Sequence, residues 1–176
     1  MRLIINCDQS DSLPLTAYFI NMRISVPFLG KTKEQYLNQA IQDYAGRLRR
    51  YLPVEIKVLK NRYGKNDADR VIMAREAEQL LPHAASASLT VVLDPSGREQ
   101  TSEEIAAVLR NWEDRGIQTV CFLIGGHLGL DEQVHRQADQ IWSLSRLTFT
   151  HEMTRFILLE QLYRACSIKA GHNYHN

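Results

Sequence analysis

LTVVLDPSGREQTSEEIAAVLRNWEDRGIQTVCFLIGGHLGL, residues 89–130, is the stretch whose reading decides the fold. It opens on LTVVL (89–93), an almost unbroken apolar run of the kind that suits a strand covered on both faces. DPSGREQ (94–100) reads as a turn. Thr101 and Glu104 then stand three residues apart, the spacing of a capping box, in which each satisfies a free amide of a helix's first turn. Ile105, Val108, Leu109 and Trp112 follow at helical spacing and form one apolar stripe, and Gly116 stops the helix. TVCFLI (119–124) is a second buried strand, and it runs directly into Gly125-Gly126 with Gly129 three residues on. Strand, helix, strand with short connections implies two parallel strands joined by a crossover helix.

The same alternation continues on both sides. Upstream, MRISVPF (22–28) alternates Ile24, Val26 and Phe28, a strand pattern with Pro27 as a blemish. Leu37, Ile41, Tyr44 and Leu48 predict an amphipathic helix over 33–52, closed by Pro53. VEIKVL (54–59) is a strand, RYGKNDAD (62–69) a polar loop, and 68–81 a second helix that Pro82 ends. Downstream, a short helix is expected around 132–139, then a short strand in IWSLS (141–145), then a closing helix over about 152–170. The expected fold class is therefore α/β, a mostly parallel sheet flanked by helices on both faces, in one domain over 22–176. Residues 1–21 lack any periodicity, broken by Asp8, Ser10, Asp11, Ser12 and Pro14, and read as an N-terminal extension outside the core fold.

Bulk properties exclude several classes. The 176 residues, 44% hydrophobic and 23% charged, are those of an ordinary globular chain. No apolar run is long enough to span a bilayer, and in the first 21 residues Arg2 is the only basic residue while Asp8 and Asp11 interrupt the apolar stretch, so no signal peptide is read and a cytoplasmic chain without a membrane is expected. Cys7, Cys121 and Cys166 form no C-x-x-C, which argues against a disulfide framework or a metal site. A net charge of +1 does not by itself point to nucleic acid; an RNA partner would need its cations clustered. One such cluster exists, Arg47, Arg49, Arg50, Lys57, Lys60, Arg62 and Lys65 with Tyr51 and Tyr63 among them, readable as a solvated face or as a phosphate-contacting surface.

Three stretches could carry chemistry. LIGGHLGL (123–130) places glycines at the end of a parallel strand, where α/β sheets hold ligands; it reads as a plain tight turn or as a binding loop, and its G-G-x-x-G spacing is no dinucleotide fingerprint. WSLSRLTFTHEMTRFILLEQLYRA (142–165) brings Ser143, Ser145, Thr148 and Thr150 before a helix that opens with His151 and Arg155 one turn apart, a pair able to hold an anion. Glu160 and Arg164 have the spacing of a helical salt bridge. The tail GHNYHN crowds His172, Tyr174 and His175 together, either an ordinary loose end or a source of proton-transfer and base-stacking groups. The closing helix is apolar around nearly its whole circumference. A domain this small offers a C-terminal helix one face only, so the other is expected to meet a second subunit in a homodimer.

Taken together these residues resemble one family, the small bacterial ribosomal RNA large-subunit methyltransferases that modify N3 of pseudouridine 1915, within the SPOUT superfamily. The resemblance covers 22–176. It is carried by LD-x-x-G (Leu93, Asp94, Gly97), IGG (124–126), SLS-x-LT (143–148), H-x-x-x-R (His151, Arg155), EQLYRA (160–165) and the closing Tyr174-His175. It implies an α/β knot, the sheet's C-terminal half tied in a trefoil, and S-adenosyl-L-methionine as cofactor. By matching position the donor pocket is Leu93, Gly125, Leu144, Ser145, Arg146, Leu147, Thr148 and Phe149. It further implies a homodimer, the assembled ribosome with its 23S rRNA as substrate, and no metal. Catalytic roles fall to Tyr174 and His175 in removing the N3 proton, with Arg155 binding phosphate or stabilising charge. The chain departs from the family pattern at His127-Leu128, where many relatives have Pro-Glu, at Glu152, where many have Pro, and in lacking a basic residue after Tyr174-His175. Two rival readings are a nicotinamide-dependent oxidoreductase, opposed by the absent early G-x-G-x-x-G, and a non-catalytic ribosome-binding factor on the same fold.

Overall fold

Strand and helix alternate along the whole of the computed structural model, which describes residues 22–60, 62, 64 and 66–172. The elements are β1 (Arg23–Leu29), α1 (Gln35–Leu48), β2 (Val54–Leu59), α2 (Asp69–Ala85), β3 (Leu89–Glu99), α3 (Ser102–Asp114), β4 (Thr119–Ile124), α4 (Glu132–Arg136), β5 (Gln140–Ser143) and α5 (His151–Lys169). The strands pair in the order β2-β1-β4-β3-β5, every pair parallel. The sheet is covered on both faces. Ile24, Val26, Phe28, Val91, Val120 and Phe122 share one core with the buried stripes of α1, α3 and α5. Val92, Cys121 and Leu123 point the other way into a second core with α2 and α4. This is the expected α/β class. The extension over 1–21 lies outside the described residues.

Three local expectations are corrected. DPSGREQ is not simply a turn, because β3 continues through it to Glu99. The β3–β5 register breaks between Leu93 and Arg98, then resumes with Arg98 opposite Trp142 and Glu99 opposite Ser143. Asp94 makes the excursion: its Oδ1 accepts hydrogen bonds from Ser96 N at 2.9 Å and Ser96 Oγ at 2.5 Å. Gly97 lets the chain return, since a Cβ there would lie 2.6 Å from the backbone carbon of Trp142. Helix α2 does not stop at Pro82 but runs to Ala85. Proline removes only its own amide from the ladder, and the last turn is closed by Ser86 N donating to Pro82 O (3.3 Å) and Ser86 Oγ to His83 O (3.0 Å).

The third correction concerns α5, which has more than one partnered face inside its own chain. It lies between α1 and α3. Tyr44 meets Phe156 and Tyr163 edge-on, with ring centroids 5.6 and 5.9 Å apart, and Ser102 Oγ donates to Gln161 Oε1 at 2.8 Å. Lys169 pairs with Glu113 at the far end. Pro27 is accommodated for a simpler reason. Ile24 N and Gly30 N donate toward β2, so position 27 faces β4, and that ladder ends at Ser25.

Candidate active site

At the C-terminal ends of β3, β4 and β5 a cavity of about 380 Å³ opens, within the size range of small-molecule cofactor sites. Three stretches remote in sequence build it: Leu93 and Asp94 after the straight part of β3, the loop 124–130 after β4, and 142–149 after β5, with His151 and Thr154 of α5 closing one side. Of the residues expected to hold the donor, Leu93, Gly125, Leu144, Ser145, Leu147, Thr148 and Phe149 line this cavity. Arg146 does not, although its neighbours on both sides do.

The loop after β4 is held from behind. Gly126 and Gly129 form an antiparallel bridge across it. The carboxylate of Glu76, only 2% exposed, lies against Gly126 so closely that a Cβ there would stand 2.5 Å from Oε1. Gly125 is equally cramped, its missing Cβ falling 2.7 Å from the Gly129 carbonyl. Two glycines in succession therefore let the loop fold back on itself and leave the cavity open. The loop after β5 is braced by its own hydroxyls: Ser143 Oγ donates to Ser145 O at 2.9 Å, and Ser145 Oγ accepts from Leu147 N at 3.0 Å. Thr150, a candidate ligand group from the sequence, instead caps α5, accepting from Met153 N at 3.3 Å.

Asp94 reaches the cavity wall and is fixed by a partner that the sequence reading missed. Its Oδ2 lies 3.1 Å from His135 Nε2, while His135 Nδ1 is 3.3 Å from the Asp131 carbonyl oxygen. Burial would push the Asp94 carboxyl up, but hydrogen bonds from Ser96 and His135 outweigh it and hold it below the usual value. Glu76 was missed too. Neither carries a local motif, since each is found only when α2 and α4 are laid on the sheet; the sole hint was the doubled glycine at 125–126.

His151 and Arg155, expected to act as one anion-holding pair, are divided by the structure. The half-buried His151 faces the cavity. Burial, then the positive Arg155, holds its imidazole below the usual value, so it is neutral near pH 7. Arg155 is 1% exposed and lies under the β1–α1 connection, its Nη2 donating to Leu29 O at 2.6 Å, its Nη1 to Thr32 Oγ1 at 3.1 Å, and its guanidinium 4.5 Å from the Phe28 ring centre. Burial lowers its pKa to about 10, which Glu152 partly offsets, so it stays charged. Glu152 takes hydrogen bonds from Lys33 N (3.0 Å) and Glu34 N (3.2 Å) and ties the same connection to the start of α5. Glu160 and Arg164 form the plain helical ion pair, at 2.9 Å. Tyr174 and His175 lie outside the described residues, as do Tyr63 and Lys65 of the basic cluster. Among the described residues no group of three His, Cys, Asp or Glu side chains could hold a metal ion.

The cavity suits a bulky, cationic nucleoside. Apolar walls from Leu93, Ile124, Leu130, Trp142 and Leu144 can cover a flat ring, exposed loop backbone can meet its polar edge, and the histidine at the rim is uncharged. Comparison with known proteins agrees. A family model described as "Predicted SPOUT methyltransferase" matches residues 22–175. The chain is 41% identical over 154 residues to the ribosomal RNA large subunit methyltransferase H of Desulfotalea psychrophila, covering 88% of this chain and 99% of that one. It is 39% identical over 155 residues to the protein of the same name from Geobacter sulfurreducens, covering 88% and 100%. A crystal structure from Bordetella pertussis Tohama I, described as a "Probable Methyltransferase", shares the fold with a TM-score of 0.51 at 14% identity, over 83% of this chain and 96% of that one. The chain thus belongs to the SPOUT family of S-adenosylmethionine-dependent methyltransferases.

Proposed function

We propose that this chain methylates N3 of a pseudouridine in 23S ribosomal RNA, position 1915 of the assembled large subunit, in the cytoplasm. The observation that carries the reading is the meeting of residues 93–94, 124–130 and 142–149 in one cavity at the sheet's C-terminal end. The relatives' name, a methyltransferase of large-subunit ribosomal RNA, supplies the substrate class. Family membership does not favour the oxidoreductase or the non-catalytic ribosome factor.

S-adenosylmethionine, when bound, supplies an electrophilic methyl group on a sulfonium. Leu93, Gly125, Leu144, Ser145, Leu147, Thr148 and Phe149 would hold it and exclude water, so alignment with the attacking nitrogen would provide much of the acceleration. The attacking nitrogen would have to give up its proton on accepting that methyl. Tyr174 and His175 are our candidates for taking that proton. Arg155 acts as a positioning residue: it anchors the β1–α1 connection under the first turn of α5, from which His151 faces the cavity. Arg146, off the cavity wall, is free to reach RNA. A trefoil threading of the loops around 93–100 and 142–149 belongs to the same reading. So does a homodimer, for which Leu147 (70% exposed), Phe149 (38%) and the half-buried Phe156 and Ile157 offer an apolar face.

Mass spectrometry of 23S rRNA from cells lacking the protein tests the function: one methyl on one pseudouridine should vanish and return with the wild-type chain. An unchanged modification pattern would refute the assignment. Calorimetry should find binding of S-adenosylmethionine and none of a nicotinamide dinucleotide.

A further inference from the structure

We propose that a groove between β2 and α2, at the sheet edge opposite β5, grips backbone phosphates of the RNA substrate at a distance from the reacting base. The proposal rests on the ribosomal reading of the active site and adds a second contact to it. The groove has a volume of about 600 Å³. Lys57 and Lys60 enter it from β2 and its end, Arg62 from just beyond, and His83 from α2; Glu78 is the only carboxylate among its described lining residues.

Three observations favour phosphate. First, Lys57, Lys60 and Arg62 are exposed and make no ion pair among the described residues, whereas Arg47, Arg75, Arg98, Arg136, Arg164 and Lys169 each face a carboxylate. In a chain of net charge +1, three uncompensated cations in one groove are a local surplus, not a share of a general excess. Second, His83 lines the same groove as Lys57 and adds a ring donor; burial first, and then Lys57, hold its imidazole below the usual value, with Glu55 opposing. Third, among the described residues the lining contains no Phe, Tyr or Trp. A protein partner would be expected to find an aromatic anchor, whereas backbone phosphates need only charge and donors. Lys57 and Lys60 stand three residues apart on extended chain, about 10 Å, so they can serve successive phosphates.

The groove lies at β2 and the donor cavity at the ends of β4, β3 and β5, with β1 between them. Contacts in the groove cannot touch the reacting atoms, so they should act on substrate affinity and leave chemistry alone. The test compares full-length wild type with the triple variant Lys57→Gln, Lys60→Gln, Arg62→Gln. A control variant, Arg23→Gln, Arg110→Gln, Arg115→Gln, loses the same charge from other exposed positions. Binding to purified ribosomes is measured across salt concentrations, alongside methyl-transfer kinetics and calorimetry with S-adenosylmethionine. The triple variant should raise KM for ribosomes tenfold or more, keep kcat and donor affinity within twofold, and flatten the salt slope by about 2; the control should match wild type. Equal slopes in wild type and triple variant, or an equal loss in the control, would overturn the groove. A wild type that binds ribosomes but transfers no methyl would sink the active-site reading while the slopes still decide the groove.

Discussion

A single missing methyl decides much of the shape of the proposed donor cavity. Gly126 has the Glu76 carboxylate where a Cβ would go. Gly126→Ala must push either the loop into the cavity or a buried helix side chain aside, at a cost of about 1–3 kcal/mol. Calorimetry should show donor affinity down tenfold or more, and a urea titration should show the loss of stability; unchanged donor affinity would mean that the loop does not shape the cavity. His151 carries a pH signature. Its folded pKa lies below the ordinary 6.5, so as pH falls through that value the unfolded chain takes the proton first, and stability is lost down to the folded pKa. Unfolding at pH 7.5 and 5.5 should therefore cost the wild type more on acidification than His151→Gln, and an identical loss in both would contradict a depressed pKa. At this scale it was the family resemblance, carried by LD-x-x-G, IGG and SLS-x-LT, that named Leu93, Gly125 and the residues around Ser145, and the structure brings them to one cavity. The sequence could not separate Arg155 from His151, since a helical interval says nothing of which side is covered.

At the scale of elements, capping and periodicity were reliable. Thr101 and Glu104 form the capping box in full, Thr101 Oγ1 accepting from Glu104 N at 3.1 Å and Glu104 Oε2 from Thr101 N at 2.8 Å. Thr101→Ala should lower stability by about 1 kcal/mol and leave donor binding unchanged, as thermal melts and calorimetry would record; a loss of donor binding would show that α3 couples to the site. Strand β3 was harder. Asp-Pro-Ser-Gly has turn composition, and the chain does turn there, but only as an excursion between two stretches that both pair with β5. Local composition reports that the backbone bends, not whether the same neighbour waits beyond the bend. Pro82 failed as a stop signal for a related reason, because a last turn can do without one amide if a serine closes it.

At the scale of the whole molecule, the proposed homodimer would cover the exposed Leu147 and Phe149 together with Ile157 of α5. Ile157→Glu, off the cavity wall, should shift a homodimer toward monomer in analytical ultracentrifugation and reduce methyl transfer with it. A wild type that is monomeric at micromolar concentration would remove the dimer from the proposal. The order of apolar runs, caps and glycines determined by itself that the chain folds as a parallel α/β sheet, because hydrophobic period and helix termination are local properties written residue by residue. Which strands are neighbours was decided only by the tertiary structure. The order β2-β1-β4-β3-β5 sets residues 93, 125 and 144 beside one another, puts Glu76 behind Gly126, and joins Asp94 to His135. Such meetings depend on long-range packing of faces that look alike in sequence, and no spacing along the chain encodes them.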